Sequence, residues 1–342
     1  MKGEIKMDLI GYKRIEDMVN LAVVAREHVL LVGPPGTAKS LFAHQMFKQY
    51  IAKTFFVQLS KFSDESVLFG PLNIEALKKG WYEFVYRETL LDAELAFIDE
   101  LFDASDVLLR SVLGVLNERI FSRGSFSVSC PLVTCIATAN YTRNNEVTEA
   151  VTDRFLFQFH TPVLSRDQRA NLYNGHCYES FTSASKPIPV ITDVDVHIPE
   201  EVINTLLALA DDLKLSPRRE RKIARMLKIY AVLQGKTAVD VNDLMIVSHL
   251  LPLEKQNKDI INRLTEIVKI FTEERVQKEQ ILSVKWDADG EPTLAKAKAI
   301  IAAVNKLSRL EACNDSILQL RNAHINKAKN DHQKCLQNLG II

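Results

Sequence analysis

Cysteine is scarce: Cys130, Cys135, Cys177, Cys313 and Cys335 are odd in number and spaced neither as zinc ligands nor as a disulfide framework. A disulfide-stapled scaffold is thereby excluded and reduced thiols are expected, with Cys135 inside an apolar strand pattern. Net charge is missing too, because 43 lysines and arginines balance 43 aspartates and glutamates. Chains that live on nucleic acid are usually basic, so DNA or RNA as the main ligand is disfavoured. No apolar run approaches the roughly 18 residues of a membrane helix, and Met1 to Asp8 lacks the apolar core of a signal peptide. These absences point to a cytoplasmic protein without a membrane segment. Internal repeats and low-complexity tracts are also absent. The remainder, 47% hydrophobic and 25% charged over 342 residues, suits an ordinary globular chain of two or three domains.

One stretch organises what is present. Val29-Leu30-Leu31-Val32 is an apolar run, Gly33-Pro34-Pro35-Gly36-Thr37-Ala38 is a turn, and Lys39-Ser40-Leu41 opens a helical pattern. This reads as a phosphate-binding loop between a strand and a helix. Gly33 and Gly36 let successive N–H groups curl around an anion, and the helix from Leu41 aims its positive end at the same point. Lys39 supplies a point charge for β- and γ-phosphates, and the Ser40 hydroxyl is placed to ligate Mg²⁺. Ala38 departs from the pattern G-x-x-x-x-G-K-[ST], standing where the second glycine belongs. For the string alone, a plain strand-to-helix connection is the competing reading.

Apolar runs at 29–32, 55–59, 95–98 and 132–137 alternate with helical patterns, the first of them within 8–28. Short runs of this kind are strands buried on both faces, so a doubly wound parallel α/β sheet is expected. Residues 63–94 break the pattern. Phe69-Gly70-Pro71 is a turn and Trp81 to Tyr86 alternates, which predicts a β-hairpin carried on a helix, either a surface excursion or a pore or partner loop. A helix over 106–118 precedes a second small hairpin over 120–128. Residues 162–199 are irregular, with a linker at Lys186-Pro187-Ile188-Pro189, and helical patterns follow at 202–213, 219–234 and 241–251, the last capped by Asp240 and Asp243. Beyond them, a helix extends from about residue 260 to 282. Residues 293–339 contain no glycine or proline and predict one helix roughly 70 Å long. This C-terminal antiparallel helical hairpin either packs within the chain or docks a partner. The expected division is 1–180 for the nucleotide core with its hairpin insertions, 190–252 for a small all-α domain, and 253–342 for the long helices.

Two acids end the third strand pattern, Leu95-Ala96-Phe97-Ile98-Asp99-Glu100. At the carboxyl edge of a parallel sheet they stand beside the phosphate loop, where Asp99 can hold Mg²⁺ and Glu100 can activate an attacking water. An acidic pair capping the next helix is the bland alternative. The fourth strand ends in Ala137-Thr138-Ala139-Asn140, whose amide either reaches a γ-phosphate or serves a turn. Arg154, in Val151-Thr152-Asp153-Arg154-Phe155 after a short helix over 146–151, and Arg218, in Ser216-Pro217-Arg218-Arg219, are guanidiniums suited to stabilising phosphoryl-transfer charge. Each is otherwise one surface arginine among many.

Taken in order, the phosphate loop, hairpin insertion, Asp-Glu strand end, second hairpin, Asn-ended strand, Asp-Arg-Phe and Ser-Pro-Arg resemble the AAA+ ATPases, and within them the MoxR family and its RavA-like branch. Gly33-Pro34-Pro35-Gly36-Thr37-Ala38-Lys39-Ser40 is similar to that family's own form of the loop, Ala38 included. Phe69-Gly70-Pro71-Leu72 and Leu116-Asn117-Glu118-Arg119 also match. The resemblance covers residues 8–255. It implies that Lys39 and Ser40 bind phosphate and Mg²⁺, that Asp99 is the Walker B acid, Glu100 the catalytic base and Asn140 sensor 1. By the same resemblance Arg154 is the arginine finger reaching a neighbour's ATP and Arg218 is sensor 2, with Arg219 the competing candidate. The family implies a ring, typically a homo-hexamer, acting as a chaperone-like remodelling ATPase on a protein client with a VWA-domain partner. RavA-like proteins can carry an extra β module among their C-terminal helices; here only residues 284–292 occupy that place. The other readings are an AAA+ motor on nucleic acid, opposed by the neutral charge, and a nucleotide-gated scaffold with little hydrolysis, opposed by the intact Asp99-Glu100 pair.

Overall fold

Apolar runs too short for helices and buried on both faces dictate the centre of the fold. The computed structural model describes residues 11–141, 145–173, 185–191, 194–289 and 291–339. Strands β1 (Val29–Val32), β2 (Thr54–Gln58), β3 (Leu95–Asp99), β4 (Thr134–Ala139) and β5 (Phe157–His160) form one parallel sheet in the order β2-β3-β4-β1-β5. All four residues of β1 and all six of β4 are buried, as strands covered by helices on both faces must be. Sequence reading found four of these strands and missed β5. Phe157-Gln158-Phe159-His160 alternates apolar and polar residues and so lacks the continuous apolar run of β1. Gln158 is nevertheless fully buried, donating to the Thr152 and Phe155 carbonyls (2.9 and 3.0 Å) and accepting from the Leu253 N–H (2.9 Å).

Helices α1 (Lys13–Ala25), α2 (Lys39–Lys48), α3 (Asp106–Glu118) and α4 (Glu146–Thr152) belong to the same layer system. The Ser105 and Asn145 side chains accept from the Leu108 and Thr148 N–H groups, which fixes where α3 and α4 start. The excursion between β2 and β3 differs from expectation. It holds two short helices, Ser66–Phe69 and Ile74–Lys78, and a single antiparallel bridge, Leu72 to Phe84, in place of a hairpin through Trp81. Asn73 caps the second helix, which therefore sits between the two arms and leaves room for one bridge only. Gly70 (φ +86°) is required there, because a Cβ would lie 2.0 Å from the Val85 carbonyl oxygen. Phe84 anchors the excursion by packing on Phe121 and Phe126 of the expected second hairpin, Ile120–Arg123 with Phe126–Ser129.

Helices α5 (Glu200–Leu213) and α6 (Pro217–Leu233) and the 3₁₀ segment Val241–His249 form the α-helical part, the last with the expected capping box of Asp240 and Asp243. α6 is tied to the sheet by cations. Arg219 is buried and donates to the carbonyls of Phe155 (3.2 Å), Leu156 (3.3 Å) and Leu250 (2.7 Å). Lys222 pairs with Glu27 at 2.6 Å, and Arg225 donates to the Ala25 carbonyl at 2.8 Å. Residues 25–27 lead into β1 and 155–156 into β5, so α6 is pinned at the amino edge of the sheet.

The chain divides into two compact units, Met1–Asn257 and Lys258–Ile342. The second consists of α7 (Lys258–Ser283), α8 (Leu294–Ser308) and α9 (Asp315–Asn338). The single long helix expected over 293–339 is thus broken at 309–314. Asn314 breaks it: its side chain accepts from the Ile317 N–H (2.9 Å) and caps α9, while the Cys313 N–H donates to Gln277 of α7 (2.7 Å). α8 and α9 are antiparallel, with the Cys335 thiol 3.9 Å from the Thr293 carbonyl, and α9 follows the direction of α7. Ile281, Val284, Ala303, Leu307 and Ile317 form their common core.

Arg219→Ala leaves three buried carbonyls and Asp153 short of a cation, so it is expected to cost about 2–4 kcal/mol. Arg218→Ala, its exposed neighbour, should cost under about 1 kcal/mol. Urea unfolding of both variants measures this, and equal costs would remove Arg219 as the pin of α6.

Candidate nucleotide site

β1 delivers its chain end directly into the loop. The Gly33 N–H donates to the Ala139 carbonyl at 3.0 Å, stitching the loop's start to the end of β4, and a Cβ on Gly33 would fall 1.9 Å from the Thr161 hydroxyl. Pro34 and Pro35 are exposed, Gly36 has φ +80°, and the Thr37 hydroxyl donates to the Pro34 carbonyl (2.9 Å). Ala38 also adopts a left-handed conformation, φ 63°, which costs an alanine about 1–2 kcal/mol. Its carbonyl accepts the first bond of α2, from Phe42, and the preceding Thr37 carbonyl accepts from the Tyr12 hydroxyl at 2.7 Å. Tyr12 stacks on Phe42 with ring centroids 4.6 Å apart, and burial pushes its phenol up to about 12, which keeps it a neutral donor. No sequence signal singled out Tyr12.

Lys39, Ser40 and Leu41 form the first turn of α2. The buried Lys39 ammonium donates to the carbonyls of Gly33 (2.7 Å) and Pro34 (3.0 Å) and to Asn140 Oδ1 (2.9 Å). Burial lowers its pKa, against the pull of the Asp99 and Glu100 charges. The Ser40 hydroxyl donates to Asp99 Oδ2 at 2.7 Å, and the Thr138 hydroxyl donates to Asp99 Oδ1. The Glu100 N–H closes this network on Asp99 Oδ1 (3.1 Å) and Thr138 Oγ1 (3.2 Å). Glu100 is left-handed, φ 56°, so the chain turns sharply out of β3 and swings its carboxylate toward Asn140, whose amide stands 3.5 Å away. The Glu100 carboxyl is raised above the usual range, first by hydrogen bonding with the Asp103 carboxyl, then by partial burial. Tyr141 donates to Asp103 Oδ1 at 2.7 Å. Lys39, Ser40, Asp99, Glu100 and Asn140 therefore meet in one hydrogen-bonded group. Thr138, Asp103 and Tyr141 were missed; Thr138 lay within the noted Ala137-Thr138-Ala139-Asn140 strand end.

Arg154 and Arg218 belong to a different place. β1 and β5 are paired in register, Val29 with Phe157 and Val32 with His160. Arg154 precedes β5 whereas the phosphate loop follows β1, so a strand length of about 13 Å lies between their edges. Among the described residues no hydrogen bond or ion pair joins either arginine to the Lys39 group. Both gather on Asp153: Arg154 Nη1 is 3.7 Å and Arg218 Nη1 3.5 Å from Oδ2, while Arg219 Nε is 3.6 Å from Oδ1. Burial and then the Arg218 charge lower the pKa of Arg154. Arg219 is occupied by backbone carbonyls, and of the adjacent pair Arg218 has the partly exposed side chain whereas that of Arg219 is buried.

A family model described as "MoxR domain in the MoxR-vWA-beta-propeller ternary systems" matches residues 1–211, and an AAA lid domain model matches 196–265. The chain belongs to the MoxR family of AAA+ ATPases. It is 30% identical to the uncharacterized protein MJ0812 of Methanocaldococcus jannaschii, across 73% of this chain and 71% of that one. Chaperone MoxR1 of Mycobacterium tuberculosis is 26% identical across 49% of this chain and 45% of its own length. A crystal structure of a candidate ATPase from Cytophaga hutchinsonii shares the fold, with TM-score 0.56 and 18% identity over 76% of this chain and 90% of that one. The RavA-like narrowing rests on the sequence motifs alone. No helix among the described residues is long and apolar enough to cross a membrane.

Thr138→Val keeps the shape of β4 and removes the hydroxyl that both donates to Asp99 and accepts from the Glu100 N–H. A loss of about 1–3 kcal/mol is expected, read as a lower urea midpoint. An unchanged midpoint would mean that the network around Asp99 holds without it.

Proposed function

We propose that this MoxR protein hydrolyses ATP with Mg²⁺ in a ring of identical chains, typically six, and uses that cycle to remodel or activate a protein client with a VWA-domain partner. One observation supports the reading: the Lys39 group lies at the carboxyl edge of the sheet, whereas Arg154 and Arg218 gather on Asp153 by its amino edge. The Lys39 group holds everything needed to bind a triphosphate and direct a water, but it has no guanidinium. Arg154 and Arg218 supply guanidiniums where no phosphate loop is near. A second copy, placing its amino-edge arginines over this chain's carboxyl edge, completes the site.

In this assignment the N–H groups of residues 36–41 cradle the phosphates, and Lys39 exchanges its loop carbonyls for β- and γ-phosphate oxygens. Glu100 orients the attacking water and takes its proton, and Asn140 spans Lys39 and Glu100 to sense the γ-phosphate. Arg154 acts as finger and Arg218 as sensor 2, both toward the neighbour. The Ser40 hydroxyl and Asp99 carboxylate, 2.7 Å apart, are the hard oxygen donors that Mg²⁺ takes. Among the described residues no group of three or more His, Cys, Asp or Glu could hold a metal. Bound there, Mg²⁺ neutralises charge on the transferring phosphoryl group. The VWA partner is supported by the description of the matching family model, and the remodelling role by the chaperone MoxR1. We assign the nucleotide core to 1–180, the lid to 190–252 and the remaining helices to 253–342.

ATP turnover is to be measured against protein concentration, with mass from light scattering. Specific activity should rise as the ring forms. Arg154→Ala should lower kcat by roughly 1,000-fold while ATP binding persists. Glu100→Gln should trap ATP and slow hydrolysis by at least about 100-fold. A monomer that turns over at full rate would defeat the shared-site mechanism, and fast turnover in Glu100→Gln would remove that residue from its role.

A further inference from the structure

We propose that Asp153 is a positioning residue: its carboxylate holds Arg154 and Arg218 side by side as one unit presented to the neighbouring protomer. This rests on the shared-site reading above. Two guanidinium charges repel each other at close range, and a carboxylate between them offsets that repulsion. Asp153 is placed to be that anion. Its Oδ2 stands 3.7 Å from Arg154 Nη1 and 3.5 Å from Arg218 Nη1, so one oxygen serves both. Its Oδ1 is held from the other side by the Ser216 hydroxyl (3.2 Å) and by Arg219 Nε (3.6 Å). Ser216 is the N-cap of α6 and Arg219 is the buried pin of that helix. The carboxylate is therefore fixed by the frame and its free edge is turned to the two arginines.

The arginines themselves are only lightly held elsewhere. Arg154 gives one bond, from Nη1 to the Ala150 carbonyl (3.2 Å), and its buried Nε has no partner among the described residues. Arg218 has Asp153 as its one ion-pair partner among the described residues. Both keep donors for an incoming anion such as a neighbour's γ-phosphate. Because Arg154 belongs to the sheet layer and Arg218 to α6, one carboxylate sets the spacing of two charges carried by separate elements.

The test compares Asp153→Asn, Asp153→Glu and Arg154→Ala for ring mass, ATP affinity, kcat and KM. Asp153→Asn should bind ATP and assemble as the parent does, with KM unchanged and kcat lowered by about 30-fold or more. Asp153→Glu keeps the charge that pairs with Arg219 and shifts it by one methylene; it should lower kcat by about 10-fold. The deciding experiment mixes either variant with Lys39→Ala, which lacks the phosphate cation but carries intact arginines. Mixed rings should hydrolyse ATP faster than the sum of the two separate proteins, because the sound nucleotide site of the Asp153 variant then faces sound arginines. A merely structural defect gives no such rescue. Parental kcat in Asp153→Asn, or loss of activity without rescue in Asp153→Glu, overturns the proposal. If Arg154→Ala itself turns over normally, the shared-site reading fails; if Arg154→Ala is inactive and Asp153→Asn is not, only the role of Asp153 fails.

Discussion

A parallel sheet has two unlike edges, and the rest of this molecule follows from that constraint. With all five strands running one way, every strand-to-helix turn opens at the carboxyl edge and every return arrives at the amino edge. The phosphate loop after β1, Asp99 ending β3 and Asn140 following β4 are far apart in sequence, yet they come together because three neighbouring strands end at one level. The same polarity puts residues 25–27 and 153–156 at the opposite edge, where α6 docks through Arg219, Lys222 and Arg225. Arg154 and Arg218 stand on that side with Asp153, away from the phosphate loop of their own chain.

Buried polar groups fasten the amino edge. His28, immediately before β1, is fully buried and neutral: its Nδ1 accepts from the Cys135 N–H (2.9 Å) and its Nε2 faces the Leu116 carbonyl (2.8 Å), while burial and the Arg119 charge hold its pKa well down. Arg119, left-handed at the end of α3, donates to the carbonyls of Leu116, Arg26 (2.8 Å) and Val133 (3.3 Å). Burial lowers its pKa to about 10, so the group remains charged at neutral pH. The Leu116-Asn117-Glu118-Arg119 motif is thus structural at its arginine. It fastens α3 to the turns that start β1 and β4, where a neutral histidine and a cation together satisfy carbonyls that no strand reaches.

What could be read along the chain was local. The loop, the Asp-Glu strand end, the caps at Asp240 and Asp243 and the helix over 106–118 each depend on residues within one turn or one strand of each other, and each appears where its pattern stands. Readings failed where a distant group decided. Trp81 to Tyr86 has a strand's alternation, but the helix capped by Asn73 takes the space of a second strand. Residues 309–314 carry helical periodicity, but Asn314 offers the backbone a cap and Gln277 of another helix accepts the Cys313 N–H.

The sequence by itself determined the loop after β1 and the acidic end of β3, because the turns there need those residue types at fixed spacing, whereas the two arginines stood out only through the resemblance to the MoxR family. Tertiary structure decided which of them share a site. Lys39, Ser40, Asp99, Glu100 and Asn140 do; Arg154 and Arg218 stand together elsewhere on Asp153. It also separated two adjacent arginines that the chain presents as equals, burying Arg219 among three carbonyls and leaving Arg218 exposed. The physical reason is that neighbours on a helix point in different directions, and only the surface the helix packs against determines which one is buried.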